Sequence, residues 1–299
     1  MIDIRYHIAS IVAVFLALGL GILIGSTIVG DNLLVDQQKK MIDRLEDQFD
    51  VLRNREEALL ADNEHKTNII NNYENYSQAL LPMLVKDRLP GFQAAIVVTG
   101  DVEVPASLLN TLNNAGAAVS SRTVVLTKMD LEEPALRKRL EEFYGLEAGS
   151  KADTIRQYLA ASVAAVISGQ ADGDIIRFLQ DNGLVKISGN TAVAVNGVIM
   201  VGGANQLSAN FANSFDLALI RDFNRMGIRV YGVEPSQVTY SYMGEYQETA
   251  ISTVDNIDQS TGQISLVYSM AGEPGHYGIK ETAQKFIPSL PVNAPGGVH

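Results

Sequence analysis

The densest grouping of residues equipped for chemistry lies near the C-terminus. Val254-Asp255-Asn256-Ile257-Asp258 is followed, beyond a short helical stretch, by Gly275-His276-Tyr277-Gly278. Carboxylate and amide side chains in this arrangement suit helix caps or contacts to a polar ligand, and an imidazole between glycines suits a base or a metal ligand. Two further turns carry similar potential: Gly100-Asp101 and Gly202-Gly203-Ala204-Asn205 each follow an apolar run. In an open parallel sheet, turns that follow the strands share one edge. Asp101, Gly203, Asp255, Asn256, Asp258, His276 and Tyr277 are therefore expected to converge there as a ligand or partner surface.

The spacing also narrows the chemistry. The Gly202-Gly203 pair lacks the G-x-G-x-x-G spacing of a dinucleotide fold, and no Gly-Lys-Ser/Thr of a phosphate loop occurs. A tight strand-to-helix turn accounts for the two glycines without a phosphate. No second histidine lies near His276, and no nucleophile stands paired with a base, so no catalytic residues are expected. The chain has no cysteine, which removes disulfides, thiolate catalysis and sulfur-rich metal sites. A formal net charge of −11 without Lys/Arg clusters excludes nucleic acid as a natural partner.

These residues must be carried by a scaffold that begins with an apolar segment. Residues 8–29 hold no charged side chain. As a helix the segment would measure ~33 Å, enough to cross a hydrocarbon core of about 30 Å and too long for the apolar core of a cleavable signal peptide. The expectation is a transmembrane anchor over residues 1–30, in contact with the lipid bilayer through 8–29. The immediate flanking charges favour a short N-terminal tail inside the cytoplasm and a wider count of Lys and Arg does not; the tail inside and the domain outside is the expectation, since long domains translocate largely regardless of charge. Ala17, Gly21 and Gly25 recur every four residues and mark one helical face for close packing against another helix.

Residues 31–88 read as a polar helical coiled-coil stalk. Leu45, Leu52 and Leu59 lie seven apart, with Gln48, Arg55 and Asp62 as polar breaks in the assumed seam and Phe49 and Ile70 beside it. The stalk is expected to pack loosely, because of those breaks, on itself or on a partner, and a homodimer through anchor and stalk is one such arrangement. Pro82 and Pro90-Gly91 are expected to end the helix. Residues 89–287 then alternate short apolar strands (94–99, 118–126, 184–187, 193–201, 228–233) with helices (105–114, 131–143, 154–167, 174–181, 208–226, 261–271). That alternation predicts a mainly parallel α/β sandwich domain, because parallel strands need crossovers and crossovers are usually helices. The Pro- and Gly-rich residues 288–299 read as a disordered tail.

The opening Ile4-Arg5-Tyr6-His7, the run Ile11-Val12-Ala13-Val14-Phe15-Leu16-Ala17-Leu18-Gly19 with Gly25-Ser26, the stalk, the Val201-Gly202-Gly203 turn and the two C-terminal motifs resemble the mycobacterial copper transport protein family, MctB. The resemblance covers nearly the whole chain. It implies a bacterial envelope protein with one N-terminal span and an exterior domain, linked to copper homeostasis or efflux, some relatives being associated instead with envelope and division complexes.

The residues themselves support anchoring better than metal chemistry. Copper(I) favours thiolate and thioether ligands, whereas this chain has no cysteine, four scattered histidines and eight methionines without an M-x-x-M cluster. His276 with Met270 or Met243 is the only pairing that suggests a copper site, and no resident cofactor is expected. An outer-membrane barrel would need many alternating strands of about ten residues, which the pattern does not offer. The expected function is that of a non-enzymatic, membrane-anchored accessory or binding component of copper homeostasis, single-pass in the bacterial cytoplasmic membrane. The alternative is a coiled-coil envelope scaffold that recruits or regulates an unidentified envelope protein, unrelated to metal.

Overall fold

The computed structural model describes residues 4–290, apart from the side chains of 28–33. The chain divides into two compact units between Asn71 and Asn72, and helix α1 (Ile4–Val85) contributes to both.

In the first unit, Ile4–Thr27 is long and apolar enough to cross a membrane, and none of it is covered by the rest of the chain. A Cβ placed on Gly21 or Gly25 would meet nothing within 4 Å, so the small-residue face is open. Further along, Ile42, Leu45, Phe49 and Leu52 are all exposed. Their spacing of three, four and three residues puts them on one helical face. Leu45 and Leu52 of the expected seam thus lie on an apolar stripe that Ile42 and Phe49 widen.

The second unit opens with the last turns of α1. Pro82 does not end the helix, which continues to Val85. Proline there removes one intrahelical hydrogen bond. Burial of Leu81 and Val85 in the core offsets that loss. The helix stops where Asp87 turns left-handed at φ 54° and its N–H bonds to the Asn114 carbonyl.

The elements that follow are β1 (Gln93–Val98), α2 (Ala106–Asn114), β2 (Ala118–Val125), α3 (Pro134–Tyr144), α4 (Ala152–Ile167), α5 (Gly173–Asp181), β3 (Val185–Gly189), β4 (Gly197–Val201), α6 (Leu217–Arg225), β5 (Arg229–Val233), α7 (Met243–Gln247), β6 (Ser252–Val254), α8 (Ser260–Ala271) and β7 (His276–Tyr277). Among the described residues they form a seven-stranded sheet in the order β3-β2-β1-β4-β5-β6-β7. All pairings are parallel except β2 with β3. The expected long helix over 208–226 is divided: a π-turn at Ala212–Asp216 precedes α6.

Successive residues of a strand face opposite sides, so each central strand feeds two cores. Val97, Val198 and Met200 pack under α4, α6 and α7, with Leu159, Phe223 and Tyr246. Ile96, Ile199 and Val233 pack on the other side against α2, α8 and the end of α1, with Leu112, Val267 and Val85. The result is a three-layer α/β/α sandwich, which explains why β1 and β4 read as unbroken apolar runs.

Candidate ligand or partner surface at the carboxyl edge of the sheet

The sheet order reverses between β1, which leads to β2, and β4, which leads to β5, and open α/β sheets bind ligands in the crevice at such a point. Here the two loops fill the crevice with each other. A Cβ on Gly100 would lie 1.7 Å from the Gly203 carbonyl oxygen, so only glycine allows this approach. Gly203 itself has φ 91°, a conformation that favours glycine. The Asp101 carboxylate accepts the Asn205 N–H at 2.6 Å and ties the loops together. Asp101 and Gly203 are thus neighbours at the expected edge, and their local role is closure.

Further along the edge, Glu234 follows β5 with its side chain fully buried. Its Oε1 accepts from Ser241 Oγ and from Lys280 Nζ, each at 2.6 Å, and its Oε2 accepts the Tyr242 N–H at 2.9 Å. Asp255 follows β6 and is equally committed: Oδ1 accepts the Ile279 N–H at 2.7 Å and Oδ2 the Lys280 N–H at 3.0 Å. A Cβ on Gly278 would lie 1.9 Å from Asp255 Oδ1, so glycine lets the chain pass over the carboxylate. Asp258 accepts both the N–H and the hydroxyl of Ser236, at 2.7 and 2.6 Å. Asn256, fully buried, donates to Gln259 Oε1 and Thr261 Oγ1 and turns the chain into α8. These carboxylates and the Asn256 amide group are engaged by the chain's own backbone and side chains, while Asn256 Oδ1 has no partner.

The last two residues of the expected surface diverge. His276 Nδ1 lies 3.0 Å from Thr253 Oγ1, which also accepts from Gln247 at the end of α7. Burial holds the imidazole pKa below its ordinary value. Tyr277 turns to the opposite side of the sheet, packs in the core with Met270, and donates its hydroxyl to the Glu273 carbonyl at 3.2 Å. Burial raises its phenol pKa. The sheet therefore separates His276 from Met270, and that pairing does not form. Met243 lies buried in the core on the α7 side. Among the described residues, no group of three or more His, Cys, Asp or Glu side chains is placed to hold a metal ion.

Sequence reasoning missed the most unusual carboxyl group in the molecule. Asp216 ends the π-turn, fully buried beneath the filled crevice. Its Oδ2 accepts from Thr99 Oγ1 at 2.6 Å and from the Tyr246 hydroxyl, while Oδ1 has no partner. Burial pushes its pKa up to about 7, aided by nearby Glu245 and opposed by the two hydroxyl bonds. Burial likewise raises the phenols of Tyr242 and Tyr246. A Cβ on Gly202 would sit 2.5 Å from the Tyr246 oxygen, so this glycine makes room for the tyrosine. The signals available were an acidic residue within an apolar helical pattern and the Tyr242/Tyr246 pair four residues apart.

Fold and edge together define an α/β/α domain whose ligand crevice is filled by its own loops, in a chain that opens with a helix able to cross a membrane. A family model described as "Copper transport outer membrane protein, MctB" matches residues 1–288, and the chain belongs to that family. Relatives named Copper transporter MctB, from Mycobacterium tuberculosis (strain ATCC 25618 / H37Rv) and Mycobacterium bovis (strain ATCC BAA-935 / AF2122/97), are each 27% identical to it over 320 residues. Each alignment covers 93% of this chain and 96% of the relative.

Proposed function

We propose that this chain is a non-enzymatic, membrane-anchored accessory component of envelope copper homeostasis, and that it does not itself form a conduit. The observation that carries the reading is the sheet: its central strands are covered by helices on both faces, and β3 and β7 remain as edges. Such a sheet is filled through its thickness and encloses no lumen. The copper connection rests on the family and on the printed names of the relatives. The ligand chemistry of the carboxyl edge points away from direct coordination, since Asp255, Asp258 and Glu234 are engaged by the chain's own donors.

In this reading Ile4–Thr27 anchors the chain in the cytoplasmic membrane, with the N-terminus inside and the α/β domain outside. The open face of Ala17, Gly21 and Gly25 and the exposed stripe of Ile42, Leu45, Phe49 and Leu52 hold two copies together or receive an envelope protein. The second use, as a scaffold for a partner, is favoured by the same stripe. Two measurements test the proposal. Protease added to wall-stripped intact cells should digest the domain, and full protection would reverse the topology. Cells lacking the chain should lose copper tolerance and regain it with the full chain but not with one lacking residues 4–27; unchanged tolerance would remove the copper role.

A further inference from the structure

A polar groove on the opposite side of the domain from Asp216 carries chemistry that the copper reading does not use. It lies between the last turns of α1, α2 and the start of α8, with a volume of about 220 Å³. Gln263 is 2% exposed and fully engaged: its Oε1 accepts from Thr111 Oγ1 at 2.6 Å, and its Nε2 donates to Ser107 Oγ at 2.7 Å and to the Ile257 carbonyl at 3.2 Å. Glu74 is fixed as firmly, accepting both the N–H and the hydroxyl of Ser260 through Oε1, at 3.0 and 2.6 Å. These bonds set a rigid frame before any ligand arrives, which lowers the ordering cost of binding.

On that frame stand groups with capacity to spare. Asn110 and Asn114, four apart on α2, line the groove, and their side-chain amides make no hydrogen bond to the described residues. Gln78 donates one N–H to Glu74 at 3.2 Å, leaving its carbonyl oxygen and its second N–H. Each amide offers donors and an acceptor together, which is the complement of a hydroxyl group. The lining contains no lysine or arginine, which disfavours an anion, and Leu81 is its one apolar side chain, which disfavours an apolar ligand. Its two carboxylates, Glu74 and Asp258, already receive donors from Ser260 and Ser236, so a cation is not required to satisfy them. The volume falls below the roughly 300–1,000 Å³ of drug-sized pockets, at the scale of one pyranose ring.

We infer that this groove binds a neutral polyhydroxylated ligand, a single sugar unit, through the amides of Gln78, Asn110 and Asn114. The unit can be a free monosaccharide or the terminal residue of an envelope glycan. The inference is independent of the copper role, and its test does not involve metal.

The test is saturation-transfer NMR on the full chain in phospholipid nanodiscs, free of glycosidic detergent. Glucose and N-acetylglucosamine represent the free sugar, an N-acetylglucosamine tetramer represents the glycan end, and spermidine represents a cation. A saturable signal from a monosaccharide or from the tetramer's terminal unit is expected, and the two arms identify the source. The N110L/N114L double variant, whose changes lie on exposed helix positions, should weaken binding ~10-fold or more with an unchanged melting temperature, the size of losing one or two hydrogen bonds. Absence of a saturable signal from every sugar, sugar binding unaltered by the double variant, or displacement of sugar by spermidine would each overturn the inference.

Discussion

Replacing Asp216 with asparagine tests the buried carboxyl group beneath the crevice. Burial raises the carboxyl pKa from 3.8 to about 7. Between those values the folded state holds a proton that the unfolded state releases, so stability falls as pH rises from about 4 to about 7 and levels off above. At 1.36 kcal/mol per pKa unit, the full excursion is roughly 4 kcal/mol. Asparagine cannot ionise, so this component vanishes from its pH profile. Its amide oxygen can keep the bonds from Thr99 and Tyr246, but its NH₂ then falls where Oδ1 has no partner, at about 1–3 kcal/mol. The variant should therefore be the less stable protein near pH 4.5 and the more stable one at pH 8. For a unit of this size, roughly 2–4 °C accompany each kcal/mol, so the two melting curves should cross over a span of several degrees. Thermal melts of the full chain at half-unit steps of pH, followed by tyrosine fluorescence, provide the assay. Parallel profiles for the two proteins, or a wild-type advantage that grows with pH, would refute the reasoning.

Three further outcomes follow from the edge and the anchor. Lys280→Met leaves the buried Glu234 carboxylate without its counter-charge and should cost about 3–5 kcal/mol in melts; adding Glu234→Gln should recover part of it, and a neutral single variant would contradict the role given to the Lys280–Glu234 pair. Gly100→Ala drives a Cβ into the Gly203 carbonyl and should abolish soluble folding of the domain, whereas Gly145→Ala, where a Cβ meets nothing, should cost only the strain of its left-handed turn, as limited proteolysis will show. Replacing Gly21 and Gly25 with leucine should weaken crosslinking between full-length chains if that face packs helix on helix; unchanged crosslinking would leave the glycines without an interface role.

The parts of the fold that were legible are those whose pattern is local. β1, β4 and β5 announce themselves as apolar runs because both of their faces are buried, and α2, α4 and α8 begin within two residues of expectation. β6 and β7, of three and two residues, are too short for any period and exist because neighbouring strands supply their hydrogen bonds. The direction of β3 was hidden as well, since antiparallel pairing with β2 leaves no mark in five residues. At the site, the sequence placed Asp101, Gly203, Asp255 and Asp258 at the strand ends but not what they bind. The amides that occupy Asp255 belong to Ile279 and Lys280, more than twenty residues away, and only the fold joins them. His276 and Tyr277, adjacent in sequence, alternate across a strand whose existence was not apparent, which is why they part to opposite faces.

Copper flux across liposomes that carry the purified full chain distinguishes an accessory component from a conduit most directly. Uptake of copper(I) by an entrapped chelator should proceed no faster than in protein-free liposomes at any protein-to-lipid ratio. A flux that rises in proportion to the incorporated chain and saturates with copper concentration would contradict the accessory role and require a path through this polypeptide.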